Sequence, residues 1–164
     1  MRLAFAVCAV PLLLAAGSIQ AAPARADFVL VEKSRHAMTL FANHHPIKSY
    51  RVALGSGGLD PKRHEGDGRT PEGRYKIDGR LAHSQFHLAL HISYPSPADR
   101  RAAAARQERP GGAIMIHGLP NGMAWIGAGH RLHDWTNGCI AVTNDEIEEI
   151  WRLVPDGTAV EIRR

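Results

Sequence analysis

The chain has 164 residues, of which 45% are hydrophobic and 22% charged, with a formal net charge of +4 and two cysteines. This length fits one domain with its own core, and the composition excludes a disordered tail, a protein with several membrane spans and a disulfide-rich scaffold. No run of Lys and Arg interleaved with aromatic residues occurs, so we expect no nucleic-acid partner.

The N-terminus has the order of a secretory signal peptide. Arg2 precedes the apolar segment 3–16, and the small-residue triplet 24–26 precedes Asp27. Because a transmembrane helix needs about 20 apolar residues, we predict a cleaved signal over 1–26 and no stable membrane insertion after processing. An uncleaved anchor is the alternative. We therefore expect a periplasmic protein that consists of residues 27–164.

Processing would change the charge and the cysteine count. Loss of Arg2 and Arg25 lowers the net charge from +4 to +2, so the basicity carries little information about partners. Loss of Cys8 leaves Cys139 alone in an exported protein. A lone thiol in an oxidising compartment is buried and inert, paired with another molecule, or used chemically.

The first half of the domain reads as strands separated by turns. Short apolar runs predict strands over 28–31, 37–41 and 47–54, joined as an antiparallel meander. Residues 55–73 then contain six Gly and two Pro, and a loop of this length is more often functional than incidental. A strand restarts over 75–77.

The second half alternates strands and short helices. Alternation predicts a strand over 86–92 with one apolar face and one face that carries His87 and His91. A polar segment after Pro95 predicts a helix over 97–108. Apolar or alternating runs next to turn residues predict a strand over 113–116 that ends at His117, and a last strand over 158–162.

A second helix follows Cys139. Thr143 and Glu146 match a capping box, and apolar residues recur at helical spacing, namely Ile147, Ile150, Trp151 and Val154. We therefore predict one mainly β domain, a sandwich or mixed sheet, with one or two short helices.

The segment 134–141 is the best place for a nucleophile. Gly138 would let a substrate carbonyl approach the backbone, and the N–H groups of Gly138 and Cys139 would be free to hold an oxyanion. The thiolate is the reactive form of cysteine, so a base is needed, and histidine is the usual one. Of the ten histidines, His117 at a strand end is the best candidate; His130 and His133 lie in a predicted loop.

Two motifs resemble one family. The strand-terminal pair His117-Gly118, followed by the Thr-x-Gly-Cys turn 136–139, resembles the signature of the YkuD-type L,D-transpeptidases, which act on bacterial peptidoglycan. The turn 70–73, a Thr-Pro-x-Gly sequence that precedes Tyr75, is similar to the family's other hallmark. The resemblance extends over about residues 28–162.

The resemblance implies a mostly β catalytic domain that acts on peptidoglycan stem peptides. Cys139 would attack the carbonyl at the meso-diaminopimelate centre of a tetrapeptide stem, terminal D-Ala would leave, and the acyl group would pass to an amine or to water. His117 would be the general base. The residues expected to contact the substrate are Thr136, Asn137, Arg131, His87, His91 and Gly118.

Two positions depart from the commonest family pattern, which has His immediately before Gly-Cys and Arg two residues after Cys. Here these positions hold Asn137 and Ala141, and the interval from His117 to Cys139 is longer, with 129–135 as the apparent extra material. Asn can hydrogen-bond but cannot take part in acid–base transfer of a proton. In the family the missing Arg would grip a stem carboxylate, and Arg131 is a possible substitute for it. The segment DWTNGCIA fits a divergent subgroup.

Several alternatives stay open at this point. The acceptor could be an amine, giving transpeptidation; it could be water, giving L,D-carboxypeptidase activity or hydrolysis of a protein-to-peptidoglycan link. Three histidines of one strand parity, His83, His87 and His91, could hold zinc in a metal-dependent envelope hydrolase. A peptidoglycan-binding domain without catalysis is a further alternative. We expect a monomer that needs neither metal nor organic cofactor.

Overall fold

The structure is a computed structural model that describes residues 24–164. Its strands are β1 (Phe28–Glu32), β2 (Ala37–Ala42), β3 (His45–Arg51), β4 (Gly73–Ser84), β5 (His87–Ile92), β6 (Met115–His117), β7 (Ile140–Ala141) and β8 (Ala159–Arg163). The helices are α1 (Pro97–Ala105) and α2 (Asn144–Leu153), with 3-10 segments at Lys33–Arg35 and Ala124–Leu132.

The eight strands form one mixed sheet in the order β3-β2-β1-β8-β4-β5-β6-β7. The predicted meander is present, because β1 pairs with β2 and β2 with β3, both antiparallel. The C-terminal strand β8 lies parallel to β1 and antiparallel to β4, which joins the two halves of the sheet. The predicted fold class, a mainly β mixed sheet with two short helices, is confirmed.

The predicted third strand is too long. Strand β3 ends at Arg51, and the next residues leave the meander because other partners hold their backbone. The Val52 N–H bonds to the His36 carbonyl, and Ala53 forms an antiparallel bridge with Ala141. This bridge joins β7 to the chain that leaves β3. The residues that follow it lie against the turn that bears the thiol, since Gly55 forms a further bridge with Thr136.

The core lies on one side of this sheet, where α2 packs. Thr143 and Glu146 form the predicted capping box, and Ile147 and Ile150 are fully buried. The strands contribute alternate apolar residues to the same core, among them Val29, Val31, Met38, Leu40, Ile77, Leu90, Ile92, Ile116, Ile140 and Val160. Helix α2 therefore fixes the sheet from which the site residues extend.

The helix predicted over 97–108 ends early. It begins after Ser96, whose side chain forms a capping box with Asp99, and it ends at Ala105. Gln107 has a left-handed backbone, with a φ of 57°, which stops the helix. Only Ala103 of this helix is buried, so α1 is a surface helix.

The predicted signal peptide lies outside the described residues except for its last three. Ala26 is buried and its N–H bonds to the Leu153 carbonyl, so packing of the domain begins there. Within residues 24–164, no helix combines the length and the apolar character that a bilayer crossing requires.

A buried lysine anchors the glycine-rich loop. The side chain of Lys33 is fully buried, and its ammonium donates to the carbonyls of Asp60 and Thr70 and to the Glu72 carboxylate, at 2.9–3.1 Å. Lys33 is the first residue of the 3-10 turn between β1 and β2, and this turn directs its side chain into the interior. A single charge therefore holds three points of the loop 55–73.

We predict that Lys33→Ala lowers the free energy of unfolding by about 3 kcal/mol, because it leaves a carboxylate and two carbonyls without their donor. Urea denaturation measures this change. Arg35→Ala is the matched control, since its pair with Glu32 is largely exposed and contributes about 0.5 kcal/mol or less. Equal effects of the two variants would contradict the anchoring role.

Candidate active site

Cys139 and His117 lie on the same face of the sheet. Strands β6 and β7 are parallel and pair Ile116 with Ile140, both of which point into the core. Side chains alternate along a strand, so Met115, His117 and Cys139 share the opposite face. The rise along a strand and the spacing between strands put Cys139 and His117 about 8 Å apart between Cα atoms, which is within side-chain reach.

The imidazole of His117 is held in one orientation. Its Nδ1 lies 2.7 Å from the Gly118 carbonyl, so Nδ1 carries the proton and Nε2 is the free acceptor. The ring of Phe86 packs against it at 4.4 Å between centroids, and Trp135 meets it edge-on at 5.7 Å. Burial lowers the pKa of His117, although the Gly118 carbonyl opposes this effect. The side chain is therefore a neutral base with its tautomer fixed.

The thiol of Cys139 contacts a backbone carbonyl and lies near the positive charge of Lys62. Its Sγ lies 3.5 Å from the Ala113 carbonyl, and Ala113 has a left-handed backbone with a φ of 54°. Burial raises the pKa of Cys139, while the Met115 backbone N–H and the charge of Lys62 lower it in part. The thiol is consequently protonated at neutral pH and needs the base to become a thiolate.

Gly138 serves packing rather than oxyanion binding. Its N–H donates to the Thr136 hydroxyl oxygen at 3.1 Å, so it is not free, contrary to our expectation. Its φ is 121°, and a Cβ there would lie 2.5 Å from the Arg69 carbonyl. The glycine is therefore required by contact with the loop 55–73. Within the described residues the Cys139 N–H has no partner, and it is the available oxyanion donor of this turn.

Thr136, predicted to contact the substrate, forms hydrogen bonds within the turn. It is buried, and its hydroxyl donates to the Cys139 carbonyl at 2.7 Å while it accepts the Gly138 N–H. Asn137 is exposed beside it, and its side chain forms no hydrogen bond with any described residue. Of the two, only Asn137 is placed to contact a ligand.

Asp134 joins the turn 134–139, which bears the candidate nucleophile and is called the nucleophile turn below, to the chain after β3. Its carboxylate accepts the Leu54 N–H at 2.7 Å and lies 3.0 Å from the His36 ring nitrogen. The backbones of Ser56 and Thr136 then pair at 2.9 Å. Asp134 therefore anchors the turn and does not orient His117.

The glycine-rich loop is braced by a buried ion pair next to the thiol, which sequence analysis missed. Lys62 and Asp67 are 2.8 Å apart, with side chains only 4% and 6% exposed. Asp67 also accepts the backbone N–H groups of Arg63, His64 and Arg69. Charged residues in a glycine-rich loop read as solvated in sequence, and only the folded loop closes around them.

The apparent extra material, residues 129–135, forms part of the 3-10 segment and the wall of the site. His130 is buried, and it accepts the Trp135 indole N–H at 3.4 Å. Arg131 forms an ion pair with Glu146, the capping residue of α2. Its charge is therefore already engaged, and the prediction that Arg131 grips a substrate carboxylate is not supported by this geometry.

The histidines of β5 do not share one environment as predicted. His87 has a left-handed backbone, with a φ of 65°, next to a shift in strand register, and it pairs with Glu148 of α2 at 2.8 Å. His91 remains in regular alternation and pairs with Asp78 of β4. Among the described residues no group of three or more His, Cys, Asp or Glu side chains is placed to hold a metal ion, so the zinc hypothesis lacks its site.

Gly118 acts through its backbone and not as the substrate contact we expected. Its N–H bonds to the Phe86 and Leu88 carbonyls, and its own carbonyl orients His117. A Cβ at this position would lie 2.7 Å from the Asn144 side-chain oxygen. Ala141, where the family pattern has Arg, is fully buried and bonds to Ala53 through both backbone groups, which leaves no room for a long side chain.

We predict that alkylation of Cys139 by iodoacetamide becomes faster with pH up to and beyond its ordinary pKa of 9.0, because burial disfavours the thiolate. Mass spectrometry of the alkylated protein at each pH measures the rate. A plateau below pH 7 would show a preformed thiolate–imidazolium pair and would contradict this description.

We predict that Asp67→Asn destabilises the protein by about 2 kcal/mol near neutral pH. Burial alone would raise the pKa of Asp67, but Lys62 and three backbone N–H groups lower it from 3.8 to about 2. The stabilisation is thus present above pH 3.8 and is lost as the pH falls toward 2. Urea denaturation across this range should show the variant and the wild type converging in acid, whereas Asp60→Asn, at a 60% exposed side chain, changes little.

Comparisons with known proteins agree with this geometry. The family model of the L,D-transpeptidase catalytic domain, YkuD, matches residues 26–162. Over 111 residues the chain is 32% identical to the Escherichia coli K12 protein named "Putative L,D-transpeptidase YafK", a match that covers 66% of this chain and 37% of YafK.

Two solved structures share the fold. The helical cell shape determining protein Pgp2 of Campylobacter jejuni superposes with a TM-score of 0.65 at 22% identity, covering 86% of this chain and 48% of Pgp2. Bd1075 of Bdellovibrio bacteriovorus superposes with a TM-score of 0.61 at 24% identity, covering 85% of this chain and 48% of Bd1075. The chain thus spans about half of each. Because the family match extends over most of the chain, this protein belongs to the YkuD family of L,D-transpeptidase catalytic domains.

Proposed function

We propose that this protein is an enzyme of the periplasm that transfers acyl groups of peptidoglycan stem peptides through Cys139. The observation that supports the proposal is the pairing of β6 with β7, from which Cys139 and His117 share one sheet face, together with the contact of Nδ1 of His117 with the Gly118 carbonyl. This arrangement leaves Nε2 of His117 free to take the thiol proton.

The first half-reaction forms a thioester. As Sγ of Cys139 attacks the carbonyl of the meso-diaminopimelate residue, its proton passes to Nε2 of His117, and the carbonyl oxygen becomes an oxyanion. The free N–H of Cys139 supports that charge. The tetrahedral intermediate then collapses, the C–N bond breaks, and His117 returns the proton to the departing amine of D-Ala.

The second half-reaction releases the acyl group. An acceptor amine attacks the thioester carbonyl and gives its proton to His117; the C–S bond then breaks, and His117 passes that proton to the departing sulfur, which regenerates the thiol. If water attacks instead, the same steps give an L,D-carboxypeptidase or a hydrolase of a protein-to-peptidoglycan link. Asn137 lies next to Gly138 but is neither an acid nor a base, so His117 transfers the proton in both steps.

We expect the purified protein to acquire the mass of the acyl group when it is incubated with tetrapeptide muropeptides, because the thioester is a covalent intermediate. The adduct should be absent in Cys139→Ala, and Cys139→Ser tests whether the shape of the turn alone retains activity. Intact-protein mass and chromatography of the products measure both. Cross-linked dimers, exchanged D-amino acids or free tripeptides identify the acceptor.

Two outcomes would contradict the thiol mechanism. The first is unchanged product formation by Cys139→Ala, and the second is loss of wild-type activity on addition of a chelator. A further check is the acid limb of the pH profile. Because burial lowers the pKa of His117, the base stays neutral below its ordinary value of 6.5, and activity should begin to fall only below that pH.

A further inference from the structure

A groove on β4 and β5, the strands that precede β6 in the sheet order, has no role in the chemistry described above. It has a volume of about 620 Å³, which is within the range of ligand sites. Strands β4 and β5 form its floor, and the turn before α1 together with the first turn of that helix forms its wall. Its polar lining includes Arg74, Lys76, Asp78, His91, Ser93 and Arg100.

The groove is positively charged. Three cations line it, against one carboxylate, Asp78, which is bound to His91. Among the described residues, the side chains of Lys76 and Arg100 form no hydrogen bond or ion pair, whereas Arg74 pairs with Glu161 at 3.2 Å. Asp99, in the same helical turn as Arg100, is occupied in the capping box. Two cations are therefore free to bind an anionic ligand.

The groove leads to the thiol along one sheet face. His91 at its edge stands directly opposite Met115 in the β5–β6 ladder, and the Met115 N–H points to Sγ of Cys139. Two strand spacings, about 10 Å, separate His91 from Cys139. Three extended residues of a peptide span about the same distance. A peptide whose scissile carbonyl meets Cys139, and whose upstream part crosses β6 toward β5, therefore reaches the groove at His91.

We propose that this groove, with Lys76 and Arg100 as its free cations, binds the carboxylate-bearing upstream part of the donor stem peptide. The inference rests on the proposed function, since it assigns a binding site to the donor of that reaction. Arg131, the possible substitute for the missing Arg, is bound to Glu146, whereas Lys76 and Arg100 are available. The groove thus supplies the charge complementarity that the nucleophile turn lacks.

Binding of the free tetrapeptide stem to the Cys139→Ala protein tests the proposal by calorimetry, without turnover. In that background, Lys76→Glu with Arg100→Glu should weaken binding about tenfold, because two attractive charges become repulsive. Arg101→Glu with Arg152→Glu changes the net charge equally outside the groove and should leave the affinity within about twofold. A stem peptide whose upstream carboxylate is amidated should bind the Cys139→Ala protein with the same affinity whether or not Lys76→Glu and Arg100→Glu are present.

The outcomes separate the two proposals. Equal affinities of the groove variant and the control, or equal losses in both, would overturn the groove while acylation of Cys139 could still occur. Charge-dependent binding in the groove without any acyl adduct on the wild-type thiol would instead refute acyl transfer and retain the binding site. If the amidated stem discriminates between the variants as strongly as the acid does, the carboxylate is not the bound group and the proposal is wrong.

Discussion

Contact between the glycine-rich loop and the nucleophile turn is the constraint on which the site depends. The Arg69 carbonyl lies where a Cβ of residue 138 would be, so only glycine permits the contact. Lys33 and the Lys62–Asp67 pair hold the same loop through buried charges. Because burial of a charge is costly without partners, each of these charges enforces one loop conformation, and through it the position of the thiol.

Burial also decides the resting state of the reactive groups. It raises the pKa of Cys139 and lowers that of His117, so both effects favour the neutral pair over an ion pair. The neutral thiol is less reactive than a thiolate, since the thiolate is the form that is alkylated, oxidised and exchanged.

Sequence patterns predicted the elements whose signal is local. The strand that delivers His117, the capping box of α2 and the meander follow from alternation, helical spacing and turn residues, which depend on neighbours in the chain. The third strand was predicted too long, because the backbones of Ala53 and Leu54 bond to Ala141 and Asp134, which lie eighty or more positions away in the chain. The role of Gly138 was misread for the same reason, since its contact is with Arg69.

By itself, the sequence determined the family and singled out Cys139 and His117 as candidates for nucleophile and base, because the two motifs encode backbone shapes that few residue types allow. Only the tertiary structure decided where charges and hydrogen bonds go. It buried Lys33, paired Arg131 with Glu146 and engaged Thr136 and Gly138 in hydrogen bonds within the turn. It also left Lys76 and Arg100 without ion pairs in the groove on β4 and β5. The sequence does not distinguish a solvated charged side chain from a buried one, because the groups that surround the charge come from segments that are distant in the chain.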